Sequence, residues 1–403
     1  MTLTDLVSPA VRPGLPLNVR AALLGSELAA DRHLHLAFPG ATDRTYPDLA
    51  AVLTAQLLNN VGDPWTSGHG RNHTKAYEVE VVRILGELFG GDHRVWGYVA
   101  TGATEGTLHA VDEAATALPD LVIYASTAAH YSVVKAARLV RATFVQIPTD
   151  HRGRMNLTRL SFELRRFRDR PAMVVATVGT TEREAVDDVA AIAGLCNDLR
   201  ITRRRIHVDA ALAGIPLALL PADQRPAFGF GAGATSLVIS GHKFLSTLMP
   251  CAVIIYPQRP QASPAEVSYI GAADTTITGS RSGHTPLLLY WSLTADGGLD
   301  AHRRRADQAR ELSAYTYDRL CRLGWDAWWE PPAFTVTLTQ PDVALRRPWV
   351  LGGDNTVGRI ICMPGLEKTW IDEFCTDLAD AHRPSLTVPI SRRSIAPRTG
   401  PVS

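Results

Sequence analysis

From Val95 onward, short apolar runs alternate with longer segments in which apolar positions recur every three or four residues. The runs "VWGYVA", "LVIYAS", "TFVQIP" and "AMVVATVGT" predict strands, and "RIHVDAA", "SLVIS" and "CAVIIY" predict three more. Between them, "TGATEGTLHAVDEAATAL", "HYSVVKAARLVRA", "LTRLSFELRRFRDR" and "DDVAAIAGLCNDLR" have the spacing of amphipathic helices. Near-continuous Val and Ile runs separated by helices predict an α/β fold with a mostly parallel sheet covered on both faces. After about Pro286 the texture changes. A long Arg-rich helix over Asp300 to Leu323, the strands "FTVTL" and "GRIICM", and the helix "LEKTWIDEFCTDLADA" predict a smaller α+β unit. The expected organisation is an N-terminal arm (1–50), a large domain (51–285), a small C-terminal domain (286–382) and a Pro/Ser/Arg-rich tail (383–403) without periodicity, expected to be disordered. No internal repeat is visible.

Composition narrows the class. With 403 residues, 46% of them hydrophobic, the chain can bury a large core. A net charge of +1 gives no basic bias toward nucleic acid or an anionic membrane. The opening "MTLTDLVSPAVRPGLPLNVR" has no continuous apolar stretch of the signal-peptide kind, and no uncharged apolar run approaches the roughly 18 residues of a membrane span. The five cysteines form no CxxC pair, so buried free thiols in a reducing cytoplasm are expected, and no metal site.

In an open α/β sheet, ligands bind at the carboxyl ends of the strands, and the polar residues of this chain collect there. Gly102-Ala103-Thr104 precedes a helix; it is either a plain helix start or a turn whose free N–H groups take a phosphate. Asp209 ends an apolar strand, where a lone carboxylate needs a partner: His207, the backbone, or a protonated ring nitrogen of a cofactor. The alanines after it, Ala210 and Ala211, leave room for a flat ring. His130 opens a helix after a strand and is either a helix-start histidine or an imidazole stacked on such a ring. Lys243, in "SGHKFLSTLMPC", sits at the lip of a buried strand, where a charged ammonium is costly to bury. It either reaches water or is held there to form an imine with an aldehyde. Ser240 and His242 beside it add a hydroxyl and a second donor.

Taken together these residues describe a pyridoxal 5'-phosphate site. The stretches "NNVGDP", "WGYVATGATEGTLHA", "YASTAAHYSVVKAARLVR", "VGTTEREAVDD", "IHVDAALAGIPLAL", "SGHKFLSTLMPCAVII" and "YIGAADTTITGSRSGHTPLLLYW" resemble, in order, the group II pyridoxal-phosphate amino-acid decarboxylases of fold type I. The similarity is greatest to the branch of bacterial histidine decarboxylases and plant serine decarboxylases, over roughly residues 35–380. The resemblance implies a seven-stranded, mostly parallel sheet and a homodimer with active sites at its interface. It also implies Lys243 as the Schiff-base lysine, Asp209 as partner of the ring nitrogen and His130 as the stacking histidine, with Gly102, Ala103, Thr104, Thr180, Ala211, Ser240, His242 and Ser280 around the cofactor. Tyr269 is the candidate acid for the substrate α-carbon, and His242 the alternative.

Departures from the family pattern fall near the substrate. Ala103 replaces a glycine, His69-Gly70 stands where relatives carry Asn-Tyr, and Ser282 replaces Asn in "GSRSGH". Ser246 and Leu248 replace small or rigid residues, and Ala333 stands where a serine is usual. Phe38, His69, His73 and Ala333 are the candidate substrate-side residues. The expected reaction is decarboxylation of an L-amino acid (histidine, serine or a non-standard one) to its amine. The rivals are a decarboxylative oxidative deaminase on the same scaffold, an aminotransferase using Arg359 for a carboxylate, and a catalytically silent binding protein.

Overall fold

The computed structural model describes residues 14–261, 265–342 and 348–382. The first 13 residues of the expected arm and the whole of the expected tail lie outside the described residues. The chain opens with α1 (Leu17–Arg32), α2 (Ala50–Ala55), β1 (Asn59–Val61) and α3 (Lys75–Leu88). The alternating region follows as β2 (Trp96–Ala100), α4 (Ala103–Ala117), β3 (Val122–Ser126), α5 (Tyr131–Leu139), β4 (Thr143–Ile147), α6 (Leu157–Arg166), β5 (Ala172–Thr177), α7 (Val189–Asp198), β6 (Arg204–Asp209), α8 (Gly214–Ala218), β7 (Ser236–Ser240) and β8 (Ala252–Tyr256). Three short strands, β9 (Glu266–Val267), β10 (Ala272–Ala273) and β11 (Ser280–Ser282), lead to α9 (His284–Thr294) and the long α10 (Gly298–Arg322). The last elements are β12 (Ala327–Trp328), β13 (Thr335–Thr339), β14 (Gly352–Gly353), β15 (Val357–Ile361) and α11 (Lys368–His382).

Seven strands form the central sheet in the order β2-β8-β7-β6-β5-β3-β4, and only β8 runs against the others. The apolar runs explain this arrangement. Every residue of β2, β3, β5, β7 and β8 is buried, as strands covered on both faces must be. The edge strand β4 is the half-exposed one. Helix α4 presses close on the sheet at Gly106, where a Cβ would stand 2.5 Å from Val238 Cγ2. A second sheet, ordered β12-β13-β15-β14 and antiparallel throughout, forms the smaller unit with α10 and α11 against it.

The arm has two parts. No residue of α1 is buried, and Leu17, Leu24 and Leu28 face outward. The segment after it is stitched down. Leu36 enters the small-unit core, and Ile361 N donates to Leu36 O at 2.9 Å. Ala41 N donates to Lys243 O at 2.9 Å, and Ser246 Oγ to Ala41 O at 2.8 Å. Ser246 needs that anchor, because its backbone is in the left-handed region at φ 63°. Of the five cysteines four are buried, as expected of free thiols in apolar elements, while Cys321 is exposed.

One ion pair ties β1, β2, α3 and β11 together. Arg281 and Glu78 are both buried and in direct contact. Glu78 also accepts from Asn60 Nδ2 at 2.7 Å and Val99 N at 2.8 Å, while Arg281 donates to Gly62 O at 3.0 Å. Removing one partner of a buried pair leaves an uncompensated charge. Glu78→Ala is therefore expected to cost about 3 kcal/mol or more, read as a lower urea midpoint. Glu80→Ala, which breaks the exposed Arg83 pair on the same helix, should leave the midpoint in place.

Candidate active site

The carboxyl ends of the parallel strands open on a cavity of about 230 Å³. Its lining includes Lys243 from the turn after β7, Asp209 and Ala211 from the end of β6, Ala103 from the start of α4 and His130 from the loop after β3. Ala37 and Pro39 of the arm, Thr177 at the end of β5 with Gly179 and Thr181 of the loop after it, Leu212 after β6, and Arg359 and Ile361 of β15 complete it. It adjoins a wider cavity of about 550 Å³ that shares His130, Thr181 and Arg359 and adds His151 and Glu182.

Lys243 is half-buried, and no hydrogen bond to its Nζ is found among the described residues. Burial lowers the pKa of its amine; the charges of Asp209 and Glu184 oppose that shift and Arg359 adds to it. The net lowering favours the neutral, nucleophilic amine. Asp209 is buried and accepts from Ala211 N at 3.2 Å. His207, two residues earlier on the same strand face, bonds Ser236 Oγ at 2.9 Å through Nδ1. Burial pushes its pKa down to about 4, so it is neutral.

His130 caps α5: its Nδ1 accepts from Ser132 N at 3.3 Å and lies 2.8 Å from Ser132 Oγ. Burial lowers its pKa, with Lys243 and Lys135 adding to the shift and Asp209 opposing it. The ring is thus neutral, held at its Nδ1 edge by Ser132 and packed on the Tyr131 ring with centroids 4.1 Å apart, while it lines the Lys243 cavity.

Four buried hydroxyls have no partner among the described residues: Thr107 within α4 and, at the strand ends, Ser126 of β3, Thr177 of β5 and Ser240 of β7. The N–H groups of Ala103 and Thr104, in the first turn of α4, find no acceptor there either. Buried polar groups are normally satisfied, so this set of donors fits a polar group seated at the strand ends. Ala103 stands in the helical first turn, where its methyl costs nothing.

Other expected residues lie elsewhere. Thr180 is buried but its Oγ1 accepts from Ala185 N at 3.0 Å, which shapes the loop. His242 turns its Nδ1 to the backbone of Cys251, at 3.1 Å from the carbonyl. Ala333 lines a separate cleft with Arg152, Arg183 and Trp328. Phe38 is half-exposed and packs on His35, while its neighbours Ala37 and Pro39 line the cavity. His69 lies against Gly271, and His73 Nδ1 accepts from Lys75 N at 3.4 Å. Tyr269 is 82% exposed, and Ser280, also exposed, accepts from Asn59 Nδ2 at 3.2 Å. None of these eight lines the Lys243 cavity. Conversely, the motif reading passed over Thr177, Ile361, Ala37 and Pro39, and met Gly179 and Thr181 only within the strand-end stretch "GTT". It met Arg359 only as a rival's residue.

A parallel sheet with an amine and an acid facing one ring-sized cavity, beside a smaller α+β unit, defines a fold type I pyridoxal-phosphate enzyme. A pyridoxal-dependent decarboxylase conserved domain matches residues 104–324, and the chain belongs to that family. It is 35% identical over 350 residues to the histidine decarboxylase of Mesorhizobium japonicum, covering 86% of this chain and 94% of the relative. It is 31% identical to serine decarboxylase 2 of Oryza sativa subsp. japonica, covering 87% and 75%. The solved L-methionine decarboxylase of Streptomyces sp. 590 superposes with a TM-score of 0.83 over 94% of this chain and 98% of that one, at 22% identity, which shows the shared fold. The protein is a pyridoxal-phosphate-dependent amino-acid decarboxylase, and the cavity residues fit that cofactor.

The Lys243 turn is held from behind by a second network. Arg305 donates to both oxygens of Asp43 at 2.6 Å and to Phe244 O at 3.1 Å. It also donates to His302 Nδ1 at 2.6 Å, while His302 Nε2 donates to Ser292 O at 2.7 Å. Both ring nitrogens are therefore committed to the neutral form. Burial, reinforced by Arg305, pushes the His302 pKa down to about 3. A folded pKa below the unfolded one means stability is intact above pH ~6.5 and is lost as the pH falls toward the folded value. His302 and His207 should each remove about 1.4 kcal/mol per pH unit below that point. The urea midpoint should drop between pH 6.5 and 4.5, and His302→Gln should make the drop shallower. An equally steep drop in that variant would contradict the account.

Proposed function

We propose that this enzyme removes the α-carboxylate of an L-amino acid held between Lys243 and Arg359, releasing carbon dioxide and the amine. The observation that carries the reading is the meeting of Lys243, Asp209, His130 and Arg359 in one cavity. When bound, pyridoxal phosphate supplies an aldehyde for the amino group and a ring that accepts the electron pair left by carbon dioxide. Lys243 would hold the cofactor covalently, for which its lowered pKa suits it. Asp209 would keep a proton on the ring nitrogen, and His130 and Ala211 would contact the ring. The amides of Ala103 and Thr104 and the hydroxyl of Ser240 would take the phosphate.

Arg359 takes the substrate carboxylate. Its Nε is buried without a partner among the described residues, and Gly352 leaves it space: a Cβ there would stand 2.4 Å from that nitrogen. Glu182 at the mouth of the wider cavity suits a substrate with a polar or cationic side chain, which agrees with the histidine and serine decarboxylases among the relatives. Tyr269 returns the proton to the α-carbon across a homodimer, since on its own chain it faces outward. The bare apolar face of α1 supports the same dimer. Among the described residues no helix is long and apolar enough to cross a membrane, and with five free thiols we place the enzyme in the cytoplasm.

Incubation of the holoprotein with each common amino acid, reading carbon dioxide together with amine or carbonyl product, tests the reaction. Carbon dioxide with stoichiometric amine supports it. A carbonyl product with oxygen uptake would mean oxidative deamination, and a keto acid without carbon dioxide would mean transamination. Lys243→Ala should lose the visible absorbance of the linked cofactor and all turnover. Arg359→Ala should keep that absorbance and raise KM by about 30-fold, the scale of one charge-assisted hydrogen bond.

A further inference from the structure

Glu184 belongs to neither the expected site nor the cavity lining, yet it is the most constrained acid near Lys243. It is 6% exposed, and its backbone lies in the left-handed region at φ 54°, a conformation unfavourable to a residue with a side chain. The loop that carries it is closed on itself. Gly179 N and Thr180 N both donate to Ala185 O at 3.0 Å, and Glu184 N donates to Thr180 O at 2.8 Å. The carboxylate then leaves the loop and crosses to the small unit. Its Oε2 accepts from Phe334 N at 3.0 Å and from Thr335 Oγ1 at 2.7 Å.

Those two donors sit at the head of β13. The neighbouring strand β15 pairs with it through Thr335↔Ile361 and Thr337↔Arg359. Gly179 and Thr181, at the other end of the Glu184 loop, line the same cavity as Ile361 and Arg359. One carboxylate therefore joins the two walls that face each other across Lys243. Among the described residues no backbone hydrogen bond joins the loop 179–185 to β13.

We propose that Glu184 is a positioning residue: it pins β13, and through it β15, to the loop after β5, and so sets Arg359 at its distance from Lys243. The proposal rests on the reading of Arg359 as the holder of the substrate carboxylate. It explains why a strained backbone and a buried acid are kept side by side. The strain aims the side chain out of the loop, and the two accepted hydrogen bonds offset its burial.

The test compares wild-type holoprotein with Glu184→Gln and Glu184→Gly. Glycine removes the latch while relieving the backbone, so that variant is expected to fold; glutamine keeps an oxygen for both donors. Hydrogen exchange is followed in peptides covering 329–337 and 357–362. Amino-acid binding is followed by the absorbance change of the bound cofactor on titration with L-histidine, L-serine and L-methionine. In Glu184→Gly we expect cofactor absorbance to persist, exchange in both peptides to rise about tenfold, and half-saturation to need about ten times more amino acid. Glu184→Gln should stay within about threefold of wild type on both measures. Faster exchange with an unchanged titration would reduce Glu184 to a structural clamp and overturn the proposal, as would unchanged exchange. If no amino acid perturbs the wild-type spectrum, the substrate reading fails instead. The latch then stands or falls on exchange at 357–362 alone.

Discussion

An amine and a carboxylate at the ends of adjacent parallel strands, removed together from bulk water, are the constraint around which the rest is arranged. Asp209 closes β6 and Lys243 follows β7, its direct neighbour in the sheet. Burial lowers the lysine pKa, and the facing acids Asp209 and Glu184 limit that shift. An isolated charge in such a place costs several kcal/mol. Two charges of opposite sign tolerate each other there, and a cationic ring nitrogen held between protein groups would satisfy the acid further. The parallel sheet supplies this geometry at no extra cost in strain, because its strand ends already point their loops at one spot.

The cavity is nonetheless built from three separate pieces of chain. The sheet gives the floor, the segment after α1 gives Ala37 and Pro39, and the small antiparallel sheet gives Arg359 and Ile361. Each piece is fastened near Lys243 by a polar contact of its own. Ala41 bonds the Lys243 carbonyl, Arg305 ties Asp43 to the Phe244 carbonyl, and Glu184 reaches β13. Apolar packing alone would hold these pieces less specifically, since it is non-directional.

The parts of this arrangement legible in the sequence are those with local signals. β6 and β7 read as apolar runs, and Asp209, His130 and Lys243 stand out because polar residues at the ends of such runs need a reason. Ala103 could be read because a helix start constrains its backbone. Arg359 could not be placed, because its neighbours in the cavity, Ile361 apart, come from strands and loops more than a hundred residues away. Glu184 sat inside the quoted motif "VGTTEREAVDD" and still gave no signal, since only the fold shows that its backbone is left-handed and its side chain leaves the loop. Ala333 stands beside β13, close in sequence to a strand that neighbours the cavity, yet it lines another cleft. Of the irregular segment around Phe38 it is Ala37 and Pro39 that line the Lys243 cavity, as side chains there alternate without a fixed period.

Substrate choice therefore belongs to the junction between the two sheets more than to the cofactor floor. The floor must present the same amine, acid and ring-flanking groups to any amino acid. What differs between amino acids is the side chain, and the wider cavity where it would extend is bounded by His130, His151, Thr181, Glu182 and Arg359. Four of these five come from the large unit and one from β15, so on the proposed role of Arg359 a small shift of β15 would change both the grip on the carboxylate and the width of the side-chain space. A histidine or serine preference copied from relatives would require that junction to be the same. Here it is fastened by a buried glutamate in a strained loop, a device local to the junction and independent of the cofactor contacts.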